Sequence, residues 1–189
     1  TENLGGELTY TWLSGNEYVL NLTLYRDCSS SPADTVAIVK VSSTSCAISA
    51  ISRTLRPSST SPIQISPNCP GNLNSCQGGI APGIEKWEYK DTLVLPGNCP
   101  DFIFTYKSCC RDTDITNIDA PGSQEFFISA ALNNQSVSSN SSPIFSDPIL
   151  FLQTGFQQTI NYGIIDPEGD SLDYSLFPAM DSNNQNISY

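Results

Sequence analysis

The stretch Cys99-Pro-Asp-Phe-Ile-Phe-Thr-Tyr-Lys-Ser-Cys109-Cys110-Arg-Asp112 decides the fold. Phe102, Phe104 and Tyr106 alternate with Ile103, Thr105 and Lys107, the period of two that turns one aromatic face of a strand toward a core. The run closes on two adjacent cysteines and an Arg-Asp pair, and a third cysteine stands just before it. Near the N-terminus lies a partial echo, Tyr18-Val-Leu-Asn-Leu-Thr-Leu-Tyr-Arg26-Asp27-Cys28, in which Leu20, Leu22 and Leu24 alternate with Val19, Asn21, Thr23 and Tyr25. Both runs read as core strands cross-tied by disulfides. The echo also predicts reciprocal ion pairs between Arg26-Asp27 and Arg111-Asp112 at the strand ends.

Outward from these two runs the same grammar repeats. Leu8, Tyr10 and Trp12 share one face of a strand, and Ser14-Gly15-Asn16-Glu17 turns it into the Tyr18–Tyr25 run as a hairpin. Thr35–Ser42 reads as a third strand, Cys46 sits in a polar turn, and Ile48–Leu55 reads as a fourth. Residues 57–84 form a long irregular insert rich in Pro, Ser, Asn and Gly, holding Cys69 and Cys76. Trp87–Leu95 and Gln124–Leu132 alternate again. No stretch keeps helical spacing over about ten residues, so the chain reads as all-β. Asn133–Ser142 is an Asn/Ser linker. The expected organisation is a disulfide-stapled Ig-like β-sandwich over 1–142, followed over 143–189 by the first strands of a second, partial sandwich. Roughly 47 residues are too few to complete one.

Composition removes several function classes. Net charge is −11; all eight basic residues precede Asp112, and from there on the chain carries ten acids and no base. Phosphate-backbone binding needs clustered Lys and Arg, so no nucleic acid is expected. The longest apolar run, around Ile149–Leu152, falls far short of the roughly 20 residues of a spanning helix, so no membrane insertion is expected. Seven cysteines (Cys28, Cys46, Cys69, Cys76, Cys99, Cys109, Cys110) without a histidine or a Cys-x2-Cys knuckle favour disulfides over zinc, and an oxidising, extracellular location. The odd number leaves one thiol free or paired outside this stretch of chain. Expected pairings are Cys69–Cys76, Cys28–Cys46, and Cys99 with Cys109 or Cys110, with the connectivity left open. The opening at Thr1 without a signal peptide fits a processed, exported chain. Without histidine, neither a Ser-His-Asp triad nor a Cys-His pair can form. Asp91 and Asp101 could mimic a glycosidase pair but read as turn and strand-end acids. No enzyme is expected.

The motif that points furthest toward function is Asp166-Pro-Glu168-Gly-Asp170-Ser-Leu-Asp173. Its four carboxylates, spaced around a Pro and a Gly, offer the oxygen ligands that calcium requires. The rival reading is an ordinary turn between two strands. Ile165–Leu176, preceded by Asn140-Ser-Ser-Pro-Ile-Phe145, resembles the start of a cadherin-like or related Ig-like module of bacterial surface proteins. Such modules often carry a comparable acidic turn at an inter-domain calcium site, with Glu168 here where Asp is usual. Gly5-Gly-Glu-Leu-Thr-Tyr10, the run to Cys28, and Cys109-Cys-Arg111 resemble a module of large secreted proteins of gliding Bacteroidota.

That resemblance implies export by the type IX secretion machinery, neighbouring domains of one large surface protein as partners, and a role in adhesion or gliding motility. It also makes Asp34-Thr-Val, Asp91-Thr-Leu and Asp170-Ser-Leu similar to the O-glycosylation tripeptide of those bacteria, with Thr35, Thr92 and Ser171 as acceptors. The sequons at Asn21, Asn134, Asn140 and Asn186 are weaker signals. Two rival functions remain. A carbohydrate-binding module would expose Trp12 or Trp87 to a polysaccharide ligand. A filament subunit would leave an open sheet edge near 143–189 for strand donation.

Overall fold

The computed structural model describes residues 2–66, 71–137, 139–146, 152 and 154–189. The chain is all-β. Its strands are β1 (Gly5–Ser14), β2 (Glu17–Asp27), β3 (Ala37–Ser43), β4 (Ile48–Pro57), β5 (Ile63–Gln64), β6 (Ile84–Val94), β7 (Phe102–Cys109) and β8 (Glu125–Leu132). They hydrogen-bond in the order β1-β2-β6-β4-β3-β7-β8, with β5 added on β6, and every named pair is antiparallel. The sheet folds over on itself. β4 belongs to both halves, and the two end strands meet, with Tyr10 Oη donating to the Ala131 carbonyl at 2.9 Å. The result is a sandwich with barrel-like closure.

Alternation accounts for the interior. Phe102, Phe104 and Tyr106 of β7, Tyr18, Leu20, Leu22 and Leu24 of β2, and Ala37, Val39 and Val41 of β3 all point inward and are buried. Tyr10 meets Tyr18 edge-on and lies against Phe104, joining the two halves. Each fully buried Leu or Phe contributes about 2–3 kcal/mol, so these three strands supply much of the driving force. Leu22→Ala would cost about 3 kcal/mol. At the hairpin tip, Ser14 pairs with Glu17 and leaves Gly15-Asn16 as the two-residue loop; the φ of +51° at Gly15 is the left-handed geometry such a turn demands.

The insert at 57–84 is less irregular than its composition suggests. It lays β5 along β6, and Ser66 Oγ accepts from Ile84 N–H. A short 3₁₀ turn follows at Ser75–Gln77.

The disulfides correct the expected pairings. Cys28 bonds to Cys76 and Cys46 to Cys99, with Cα separations of 4.9 and 6.0 Å, while Cys109 bonds to its neighbour Cys110. Strand neighbours explain the choice. Cys28 N–H donates to the Gly83 carbonyl where the insert re-enters β6, which sets Cys28 against the insert rather than against Cys46. Ser43 lies opposite Phe102, so the β3–β4 turn with Cys46 and the β6–β7 turn with Cys99 share one end of the sandwich. Cys69 lies outside the described residues.

The end of the expected Asn133–Ser142 linker is tied down rather than free. Ser142 exchanges hydrogen bonds with the Tyr10 backbone and Ser141 Oγ accepts from Trp12 N–H, so they cover the outer edge of β1. Beyond 142, where the sequence predicts the opening of a second sandwich, no strand forms among the described residues. The single bridges Ile144–Ile165 and Met180–Asn186 are the paired positions there. The segment touches the first unit instead: Ile187 is buried, Ser182 N–H donates to Glu125 and Asp119 N–H to the Ser188 carbonyl. Alternating residues make a strand only when a neighbour accepts their backbone groups.

Candidate functional site

A groove of about 230 Å³ lies on the outer face of β1, β2 and β6. Strand register builds it in three rungs. Gly5, Tyr25 and Lys86 form the first, Glu7, Thr23 and Glu88 the second, and Thr9, Asn21 and Lys90 the third. These are the residues that alternate with the buried leucines of β2 and with Trp87 and Tyr89 of β6, so the same period that fills the core presents them outward. Tyr25 Oη donates to Glu7 Oε1 at 2.9 Å, and Lys86 Nζ lies 3.5 Å from Glu88 Oε1. Ile144 and Phe145 form an apolar wall. The groove thus offers hydroxyl, amide, carboxylate and ammonium groups beside the aromatic rings of Tyr25 and Phe145. Such a mixture suits a ligand rich in hydroxyls.

None of these rungs was singled out from the sequence. The signal was present in the polar half of each alternation, yet nothing in a linear chain says that β6, some sixty residues on, lies beside β2.

The acidic turn is a different kind of place. Asp166 Oδ1 accepts from the N–H groups of Glu168 and Asp170, at 3.0 Å each. Among the described residues no three acidic or cysteine side chains stand close enough to hold a metal ion, so Asp166, Glu168, Asp170 and Asp173 are not gathered on one centre.

Asp101 is turned to structural use. Ser43 Oγ donates to one carboxylate oxygen, and Ser45 N–H, Ser45 Oγ and Thr44 N–H donate to the other. These bonds, led by that from Ser43, hold its pKa below the usual Asp value. Trp12 and Trp87 are partly buried against the core, each with its indole N–H spent on a local acceptor, Gly15 O and Glu85 Oε1 respectively. Thr35, Thr92 and Ser171 are exposed. Asn134 is not available to a glycan: it is 1% exposed, and its amide bridges Cys99 N–H, Asn16 and the Gly97 carbonyl.

A polar corner is buried near one end of the sandwich. The predicted reciprocal ion pairs do not form there. Arg26 pairs instead with Glu85, its partner across β2 and β6. Asp112 accepts from Ser30 Oγ and Asp114 N–H. The Arg111 guanidinium lies 5.5 Å over the Phe126 ring, and its buried Nε has no hydrogen-bond partner. Burial lowers the Arg111 pKa, and on β1 it pushes the Tyr10 phenol up to about 12.

Compared with protein-family models, curated proteins and solved structures, the chain matches none of them.

Proposed function

We propose that this chain is an extracellular structural and adhesive module of a larger cell-surface protein, and that its groove over β1, β2 and β6, in place of the partly buried Trp12 and Trp87, takes a polyhydroxylated ligand, a surface polysaccharide. The observation that carries the reading is the groove itself: three rungs of polar side chains fixed by strand register on a disulfide-closed scaffold. Disulfides that link distant parts of the sheet support an oxidising location. Affinity electrophoresis through gels carrying neutral or acidic polysaccharides tests the binding. Retarded migration, lost in Asn21→Ala and Lys90→Ala at unchanged melting temperature, supports it. Free migration through every gel removes the ligand and leaves a scaffold.

The remaining parts of the reading rest on the resemblance. Calcium belongs to it only if the ion itself draws Asp166, Glu168, Asp170 and Asp173 together; melts in calcium and in a chelator decide, since a specific ion raises the melting temperature and Asp170→Ala removes the rise. Surface display of the tagged chain in cells with and without a type IX secretion system tests the export route and with it the link to gliding. Exposure of Thr35, Thr92 and Ser171 supports their reading as glycan acceptors, which intact mass measurement of the native protein checks.

A further inference from the structure

The outer face of the other half of the sandwich is unusual for a strongly acidic protein. Outward residues of β3, β7 and β8 form a groove of about 410 Å³ lined by Ile38, Lys40, Thr105, Lys107, Phe127 and Ser182. Its lining holds two ammonium groups, two large apolar side chains and no carboxylate. Strand register sets Lys40 opposite Thr105, and Lys107 opposite Phe127. Ile38 is 52% exposed, and Ile103, another outward position of β7, is 36% exposed. Lys107 is held by Glu125 at 3.0 Å, whereas no carboxylate among the described residues pairs with Lys40.

The same chain carries the chemical complement of this groove. Asp166-Pro-Glu-Gly-Asp170-Ser-Leu-Asp173-Tyr-Ser-Leu-Phe177 has four acids, no base and an exposed apolar end. Tyr174 is 70% exposed, Leu176 92% and Phe177 77%, and residues 171–178 lie in no strand or helix. Large apolar side chains in a run this exposed are the mark of an unfilled interaction. The segment cannot be said to lack the opportunity to fold back. Five residues after Phe177, Ser182 is already fixed at the rim of the groove by Lys107 and Glu125, yet the apolar end stays in solvent.

We propose that the groove over β3, β7 and β8 receives residues 166–177 of a second copy of this chain. Lys40 and Lys107 would meet the carboxylates at 166–173, and Ile38 and Phe127 would cover Leu176 and Phe177. The association neither requires nor reports binding of a foreign ligand, so it stands apart from the polysaccharide reading in both success and failure.

Sedimentation of the whole chain over a concentration series tests it. The weight-average mass is expected to rise with concentration and to fall when salt is raised from about 0.01 M to about 1 M, which shortens the screening length from about 30 Å to about 3 Å. Lys40→Glu alone, and Leu176→Ser/Phe177→Ser alone, are each expected to weaken self-association at least tenfold. Mixing them restores one good contact, because one protein keeps an intact segment and the other an intact groove. Both changes lie on the surface, and unchanged far-UV spectra and melting temperatures would show that folding is intact. A monomer at all concentrations in low salt overturns the proposal. So does association that survives Lys40→Glu, or a mixture that fails to associate.

Discussion

The two Arg-Asp corners begin from one sequence idea and end as opposites. At the end of β2, Arg26 is buried and fully engaged: its guanidinium pairs with Glu85 and donates to the carbonyls of Ser30 and Ser31. Asp27 faces outward and only closes a turn onto Ser29. Beyond β7 the roles reverse. Asp112 is 1% exposed and holds Ser30 Oγ and Asp114 N–H, whereas Arg111, also buried, has an aromatic ring for company and an unbonded Nε. The difference comes from the neighbouring strand. β6 supplies a carboxylate opposite Arg26, and β8 supplies Phe126 beside Arg111. A shared motif therefore fixes where a charge sits but not what it meets. Ser30 joins the corners, accepting from Arg26 with its carbonyl and donating to Asp112 with its hydroxyl.

The cysteines beside the corners give the largest expected contrast. Cys28–Cys76 closes a loop with a sequence separation of 48, and removing it with paired alanines should cost roughly 4 kcal/mol in urea unfolding by the loop-entropy estimate. Cys109–Cys110 has a separation of 1 and restricts almost no unfolded chain, so its removal should cost far less. Equal losses would erase the contrast.

Next in size are the arginines. Arg26→Met leaves the half-buried Glu85 with the Trp87 indole N–H alone, removes the donor to the Ser30 and Ser31 carbonyls, and should cost about 2 kcal/mol, whereas Arg111→Met replaces an unpaired buried charge by an apolar chain of similar length and should fall within about 1 kcal/mol of the wild type in either direction. A large loss at Arg111 would mean that its contact with Phe126 matters more than its desolvation. The aspartates should invert this order: Asp112→Ala should cost about 2 kcal/mol, and Asp27→Ala no more than about 1 kcal/mol.

The smallest effect is the pH response at Asp101, at the opposite end of β7 from Arg111. Its folded pKa lies below its unfolded one, so its stabilisation is present above the unfolded value, about 4, and disappears as pH falls through the folded value. Asp101→Asn should flatten that part of the stability profile, while Ser43→Ala should move the folded pKa back toward the ordinary value. An unchanged profile in Asp101→Asn would assign the acid response to other carboxylates.

The interior was legible because burial and alternation are the same fact seen twice. Leu20, Leu22, Leu24, Phe102, Phe104 and Tyr106 are inward in the sequence pattern and inward in the fold. Pairing was not legible. Cys76 sits close to Cys28 only because the insert returns along β6, and that return depends on β5 and on Ser66, neither of which the composition singles out. The polar groove was hidden for the same reason: Thr9, Asn21 and Lys90 meet through register across three strands. At Asp166–Asp173 the pattern was visible but ambiguous, since the residues that could hold an ion are also those that make a turn.

The two long-range disulfides interleave, because Cys46 lies inside the loop closed by Cys28–Cys76 and Cys99 lies outside it. Under tension applied along the chain, the stretch from Cys28 to Cys99 could not be drawn out to its contour length even if every strand came apart. The Cys46–Cys99 bridge alone withholds 53 residues, roughly 180 Å of extension at about 3.4 Å per residue. Of the stretch from Cys28 to Cys99, only the chain between Cys28 and Cys46 could then lengthen, so the middle of the fold would act as a short leash and most of the yielding length would lie on either side of it.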